Sequence, residues 1–153
     1  MGKRNVLFVM SSLRNGGAER SLVNLLQLLD YDRYNVDLLL FQNEGMFLKQ
    51  VPKAVNIISN CNKLYTLYDN NKAEALKHPY LSAIHMIGTF ISRKKTNSVA
   101  KSRQYRWEHF YKKIVPELTK EYDVAIAYMQ REQTYFLVDK VKAAKKIAWV
   151  HNE

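Results

Sequence analysis

Five short runs of β-forming residues, Val6–Met10, Val36–Phe41, Val55–Ile58, Val124–Met129 and Ile147–Val150, recur along the chain with helical patterns between them. Most of these runs are continuously apolar rather than alternating. A strand of that kind is covered on both faces, as in the middle of a parallel sheet. Leu22, Leu25, Leu26 and Leu29 fall at i, i+3, i+4 and i+7 within Glu19–Leu29, one face of a helix. Thr134–Val141 reads as a shorter helix. Strands alternating with helices predict an α/β domain, a Rossmann-like parallel sheet flanked by helices.

The sharpest local feature is the stretch after the first run, Ser11-Ser-Leu-Arg-Asn-Gly-Gly-Ala-Glu-Arg20. The chain has only 5 glycines, and two stand together at Gly16-Gly17. Two readings fit. The pair forms a tight strand-to-helix turn, using the conformational freedom of glycine. Or it opens the helix N-terminus to an anion, because the first helical amides lack partners and carry partial positive charge. Dinucleotide and P-loop patterns are absent, since the chain has neither G-x-G-x-x-G nor G-x-x-x-x-G-K-[ST].

The middle of the chain differs from its ends. Pro79–Ile91 is an apolar helical stretch, and Ser92–Arg103 reads as a polar, basic loop or helix junction. Trp107, Phe110, Tyr111, Ile114 and Val115 then form an amphipathic stripe that Pro116 should end or kink. Between Arg93 and Lys113 stand eight basic residues against the single acid Glu108, which is +7 of the net charge of +10. The basicity therefore belongs to one segment.

A length of 153 residues predicts one domain, and no internal linker or repeat is visible. The single cysteine, Cys61, excludes an internal disulfide and fits a reducing compartment, as a buried or half-buried thiol. No apolar run reaches the roughly 18 residues of a membrane span. Val6–Met10 is shorter than a signal-peptide core. The expected location is cytoplasmic. No His, Cys and Asp cluster has metal-ligand spacing.

Together, Asn5–Met10 with Gly16-Gly-Ala-Glu-Arg20, the strand Tyr122–Tyr128 and the ending Lys146-Ile-Ala-Trp-Val-His-Asn-Glu153 resemble the N-terminal domain of family 4 glycosyltransferases of the GT-B fold. The resemblance spans nearly the whole chain. It implies a retaining, metal-free enzyme of two Rossmann-like domains facing a cleft, with residues 1–153 as the acceptor-side domain. It also implies a second, nucleotide-sugar-binding domain bearing a Glu-x7-Glu motif. No two glutamates here are eight apart, so that half is expected outside this chain.

Carried onto this sequence, the resemblance makes Gly16 and Gly17 the loop that meets the donor pyrophosphate. It makes His151 a catalytic residue near the donor sugar. Read alone, His151 is equally a polar strand-end residue. Arg14, Glu19, Arg103, Arg106 and Trp107 are candidate acceptor or surface contacts. Arg14 also fits a solvated loop charge, and Glu19 also fits a favourable charge at a helix start. Expected partners are a nucleotide-sugar donor and a saccharide or lipid-linked acceptor, in cell-surface polysaccharide synthesis. No cofactor beyond the donor and no nucleic acid are expected.

The 103–113 segment has two readings, an aromatic and basic face on the inner surface of an anionic membrane or an aromatic face packed into the core. His78, His85 and His109 have no partners at catalytic spacing. A competing class is a basic module for nucleic acid or anionic surfaces, and a third is a stand-alone nucleotide-binding module. Neither the charge run nor its aromatics explains the glycine pair.

Overall fold

A computed structural model describes residues 2–58, 67 and 76–150. His151 and Cys61, both singled out by the sequence, lie outside the described residues. The chain divides into two compact units, Met1–Asn60 with Glu117–Glu153, and Cys61–Pro116.

The first unit holds β1 (Arg4–Met10), α1 (Gly17–Leu28), β2 (Tyr34–Leu40) and β3 (Asn56–Ile58), then β4 (Glu121–Ala127) and β5 (Lys142–Ala148). All strands run parallel, in the order β3-β2-β1-β4-β5. This is the Rossmann-like sheet that the sequence predicts. The central strands carry its core. Leu7, Val9, Met10, Leu38, Leu39 and Leu40 are fully buried. Such strands are buried on both faces, and their sequences accordingly lack alternation. α1 packs Leu22, Val23 and Leu26 against Phe8, Met10, Leu38 and Leu40. The helix joining β4 to β5 covers other core residues, with Phe136 edge-on to Phe41 at 5.8 Å.

β5 departs from expectation. The predicted strand was Ile147–Val150, but the ladder with β4 begins at Glu121↔Lys142 and ends at Ala127↔Ala148. β5 has β4 as its one sheet neighbour, and most of its residues are exposed. An outer strand with lysines has no apolar run to reveal it, and lysine is the usual guard of such an edge. Trp149, just past the strand, is 46% exposed.

A polar knot crosses the sheet. The buried Asp37 carboxylate accepts from Tyr122 Oη at 2.7 Å, Lys120 Nζ at 2.9 Å and Asn56 Nδ2 at 3.0 Å. Burial pushes the Asp37 carboxyl up, but these hydrogen bonds and the Lys120 charge outweigh it and hold its pKa below the usual value. Burial and the neighbouring carboxylate push the Tyr122 phenol up.

The second unit holds α2 (Pro79–Lys95), α3 (Val99–Arg106) and one π-helical turn at Trp107–Tyr111. The predicted junction at Ser92–Arg103 is mostly helical, broken only around Thr96–Ser98. Its helices meet through hydroxyls rather than apolar residues, which hides them from hydrophobic periodicity. Buried Ser92 and Ser102 share a hydrogen bond of 2.8 Å. The stripe beyond them turns its spacing to i, i+4 and i+8. Trp107, Tyr111 and Val115 are buried, while Phe110 and Ile114 are only partly so. The Lys112 N–H reaches the Trp107 carbonyl at 2.9 Å, the five-residue step of a π-turn.

Candidate functional site at the carboxyl edge of the sheet

In open α/β sheets, ligands bind beyond the carboxyl ends of strands, where the strand order reverses. Here the order reverses between β1 and β4. The loops leaving those two strands, Ser11–Gly16 and Tyr128–Arg131, flank that point.

The β1 loop is clamped from the β2 side. The ladder runs past the strands, with Phe41 N–H to Met10 O at 3.1 Å and Gln42 N–H to Ser11 O at 2.7 Å. Leu13 donates to Glu44 O at 2.9 Å and accepts from Phe47 N–H at 3.1 Å. Gly45 makes this possible. Its φ is +127°, and a Cβ there would overlap the Leu13 carbonyl and the Arg14 nitrogen. Arg14 adds an ion pair, with Nε on Glu44 Oε1 at 2.7 Å and Nη2 on the same oxygen. Arg14, a candidate acceptor contact, is thus engaged with Glu44.

The loop delivers the glycine pair to the start of α1. Gly16 is the N-cap, with an extended backbone (φ −153°, ψ 160°) that any residue adopts, and no side chain caps the first turn. Backbone geometry therefore does not require glycine at 16 or 17. The pair differs in its surroundings. The Glu19 carboxylate folds back into the space that a Gly16 side chain would occupy, whereas a Cβ on Gly17 would meet nothing within 4 Å. Gly17 is the open position, and Glu19 guards Gly16. That carboxylate sits at the positive end of the helix, where it is favoured, and an arriving anion would have to displace it.

The β4 side supplies residues that the sequence did not mark. Tyr128 donates its N–H to Val9 O at 3.0 Å, and its hydroxyl lies 3.0 Å from Ser21 Oγ on α1. Its ring packs against Trp149 at 5.2 Å. Buried Gln133, with its amide turned to satisfy both ends, donates to Gln130 O at 2.9 Å and accepts from Ser11 Oγ at 3.2 Å. Gln133 opens α4 (Glu132–Lys140), whose N-cap Arg131 has φ 81° and ψ −123°. Arg131 is the only described non-glycine residue with positive φ, a conformation that costs about 1–3 kcal/mol and collects at functional sites. Nothing in Met129-Gln-Arg-Glu-Gln133 signals it, because no glycine stands there.

β5 ends at this same edge, and the Trp149 N–H reaches Ala127 O at 2.8 Å. The edge thus gathers Gly16, Gly17, Arg14 and Glu19 with Tyr128, Arg131, Gln133 and Trp149. Arg103, Arg106 and Trp107 belong to the second unit. Trp107, expected among the surface contacts, is 1% exposed and offers no surface. Arg103 and Arg106 are half-buried and line a cavity there. Among the described residues, no group of three His, Cys, Asp or Glu side chains could hold a metal ion.

No protein-family model matches the chain, and no curated protein matches it.

Proposed function

We propose that the chain is the acceptor-side domain of a retaining glycosyltransferase that moves a sugar from a nucleotide-sugar donor to a saccharide or lipid-linked acceptor. The observation that carries this reading is the start of α1. It lies at the reversal point of the sheet, has a glycine N-cap with no side chain of its own, and presents open space at Gly17 beside the Glu19 carboxylate. Amides there would stabilise the charge that grows on a departing nucleoside diphosphate.

In this reading the clamp from Gly45 and Glu44 holds the loop in place before the donor arrives. That matters because donors fixed in advance contribute most to catalysis. His151 would meet the donor sugar, as a hydrogen-bond partner or as a stabiliser of an oxocarbenium-like centre. The enzyme would work in the cytoplasm at the inner face of the membrane, in surface polysaccharide synthesis.

Peripheral membrane contact draws support from α2 rather than from the 107–111 turn. α2 exposes Tyr80, Met86, Ile87 and Phe90, with Lys94 Nζ 4.4 Å from the Phe90 ring centre. An apolar face beside lysines suits an anionic interface. No described helix is long and apolar enough to cross a membrane.

The test uses the complete gene product with a panel of nucleotide sugars, reading release of nucleoside diphosphate. Turnover of at least one donor is expected. His151→Ala should lower it by roughly ten- to a thousandfold without altering the melting temperature. No turnover with any donor, or a wild-type rate for His151→Ala, would remove the reading or the assigned role respectively.

A further inference from the structure

The second unit contains a cavity of about 490 Å³ between α2 and α3, within the size range of small-molecule sites. Its chemistry is one-sided. Among the described residues, Arg93, Arg103 and Arg106 line it with Thr89, Ser98 and Ser102, and no acidic side chain does.

Three features separate this cavity from a solvated basic face. First, Arg106 is fixed. Its Nη1 donates to Ser102 Oγ at 3.1 Å and lies 3.4 Å from Ser92 Oγ. Ser92 in turn donates to Thr89 O at 3.1 Å. The hydroxyls thus hold the guanidinium without neutralising it. Second, two buried polar atoms on the lining have no hydrogen-bond partner, Arg106 Nε and Thr89 Oγ1. Buried donors are nearly always satisfied, so an orphan pair at one cavity calls for a missing acceptor. Third, α3 begins at the cavity. Ser98 and Val99 line it, and the first-turn amides have no intrahelical acceptor, Lys101 N–H alone being capped by Ser98 Oγ at 3.4 Å.

The field is felt by the lining itself. His85 donates through Nδ1 to Leu67 O at 2.6 Å. Burial lowers its pKa against that hydrogen bond, and the charges of Arg106 and Arg93 push the same way as burial.

We infer that this cavity is a binding site for a phosphate group, held by Arg93, Arg106, Thr89 and the start of α3. An arginine fork matches the oxygens of phosphate, and a hydroxyl donor with helix amides completes the shell. The inference stands apart from the donor site of the transferase reading, because it involves none of Gly16, Gly17 and His151. The phosphate could belong to a free metabolite or to a lipid headgroup.

The experiment titrates the whole chain, by calorimetry in low salt, with inorganic phosphate, inorganic pyrophosphate and monomeric short-chain phosphatidic acid. Binding of at least one is expected, weakening as salt rises. Arg93 is exposed, so Arg93→Ala should fold normally and weaken binding by about tenfold, the loss of one charge-assisted hydrogen bond. Thr89→Val keeps the shape, removes the orphan hydroxyl, and should weaken binding by about threefold or more. Lys49→Ala, an exposed lysine in the other unit, should leave it unchanged. Melting curves of each variant separate lost binding from lost folding. Binding of the inorganic anions identifies a free phosphate as sufficient, and binding of phosphatidic acid alone identifies a headgroup. The inference is overturned if none of the three binds. It is equally overturned if Arg93→Ala and Thr89→Val bind like wild type, or if Lys49→Ala loses as much as Arg93→Ala.

Discussion

The carboxyl edge of the sheet and the arginine cavity both suit anions, but they are built from different material. At the edge, the donors are backbone amides at a helix start, the Glu19 carboxylate folds over Gly16, and Glu44 is paired with Arg14. In the cavity, the donors are side chains, arginines with hydroxyls, and among the described residues no carboxylate lines it. A backbone site with a carboxylate folded over its first glycine holds a resident anion poorly. It suits charge that appears and leaves, as on a departing phosphate. A side-chain site built around Arg93 and Arg106 suits an anion that stays. Preorganisation also differs in origin. The sheet ladder and Gly45 fix the first, and a chain of serine hydroxyls fixes the second.

The comparison can be broken most forcefully at Trp107. If the 107–115 stripe is core, Trp107→Ala should destabilise the protein by about 3–5 kcal/mol, read by urea unfolding with circular dichroism. Its counterpart on α2, Phe90→Ser, should stay within about 0.5 kcal/mol, because Phe90 is 62% exposed. Anionic vesicles should bind the Phe90 variant less well than wild type. Equal stability of the two variants would mean that the buried and exposed aromatic faces have been assigned the wrong way round.

The next largest effect tests the clamp at the edge. Gly45→Ala forces a side chain into a positive-φ position, costing about 1–3 kcal/mol before any overlap with Leu13 is counted. A neutral Gly45→Ala in a thermal melt would show that the β1 loop is not held by this contact. Gly45 lies 29 residues beyond the Gly16 that it helps to position. No local pattern links them, because the contact exists only once β1 and β2 lie side by side.

That separation explains much of what the sequence disclosed. β1 and β2 were legible because burial on both faces writes itself as continuous apolar residues. The glycine pair was legible because it follows such a strand directly. β5 was misplaced because lysines fill its exposed positions. α3 was missed because serines, rather than leucines, join it to α2. Asp37 interrupts an apolar run and was the visible hint of a polar knot, yet its partners Lys120 and Tyr122 come from 83 and 85 residues away. Arg131 left no trace, since its backbone conformation is imposed by the turn between β4 and α4.

Asp37 yields a prediction of intermediate size. Asp37→Asn keeps one acceptor oxygen but removes the negative charge that Lys120 and Tyr122 share and turns the other oxygen into a donor, at a cost of about 1–3 kcal/mol near neutral pH. The pH dependence has a definite sign. A carboxyl with a depressed folded-state pKa contributes stability above its unfolded value, and loses it as pH falls through the folded value. The gap between wild type and Asp37→Asn should therefore be full at neutral pH and shrink below about pH 4. A gap that stays constant down to strongly acidic pH would mean that Asp37 acts through shape alone.

The smallest effect decides what the glycine pair is for. Gly17 begins α1, and a methyl group there would meet open space. If the pair serves only the turn, glycine at 17 has no structural reason, because alanine is the better helix former by up to about 1 kcal/mol. Gly17→Ala should then raise the melting temperature slightly and change nothing else. If the position is kept bare so that a phosphate can approach the amides, the same substitution should raise stability and lower turnover in the complete enzyme. Gly16→Ala provides the internal control. Its Cβ would displace the flexible Glu19 carboxylate, and the N-cap loses about 0.5–1 kcal/mol as glycine becomes alanine. The two variants should move stability in opposite directions. A Gly17→Ala enzyme that is more stable and fully active would leave the turn as the whole explanation, and the edge would lose its claim to a ligand.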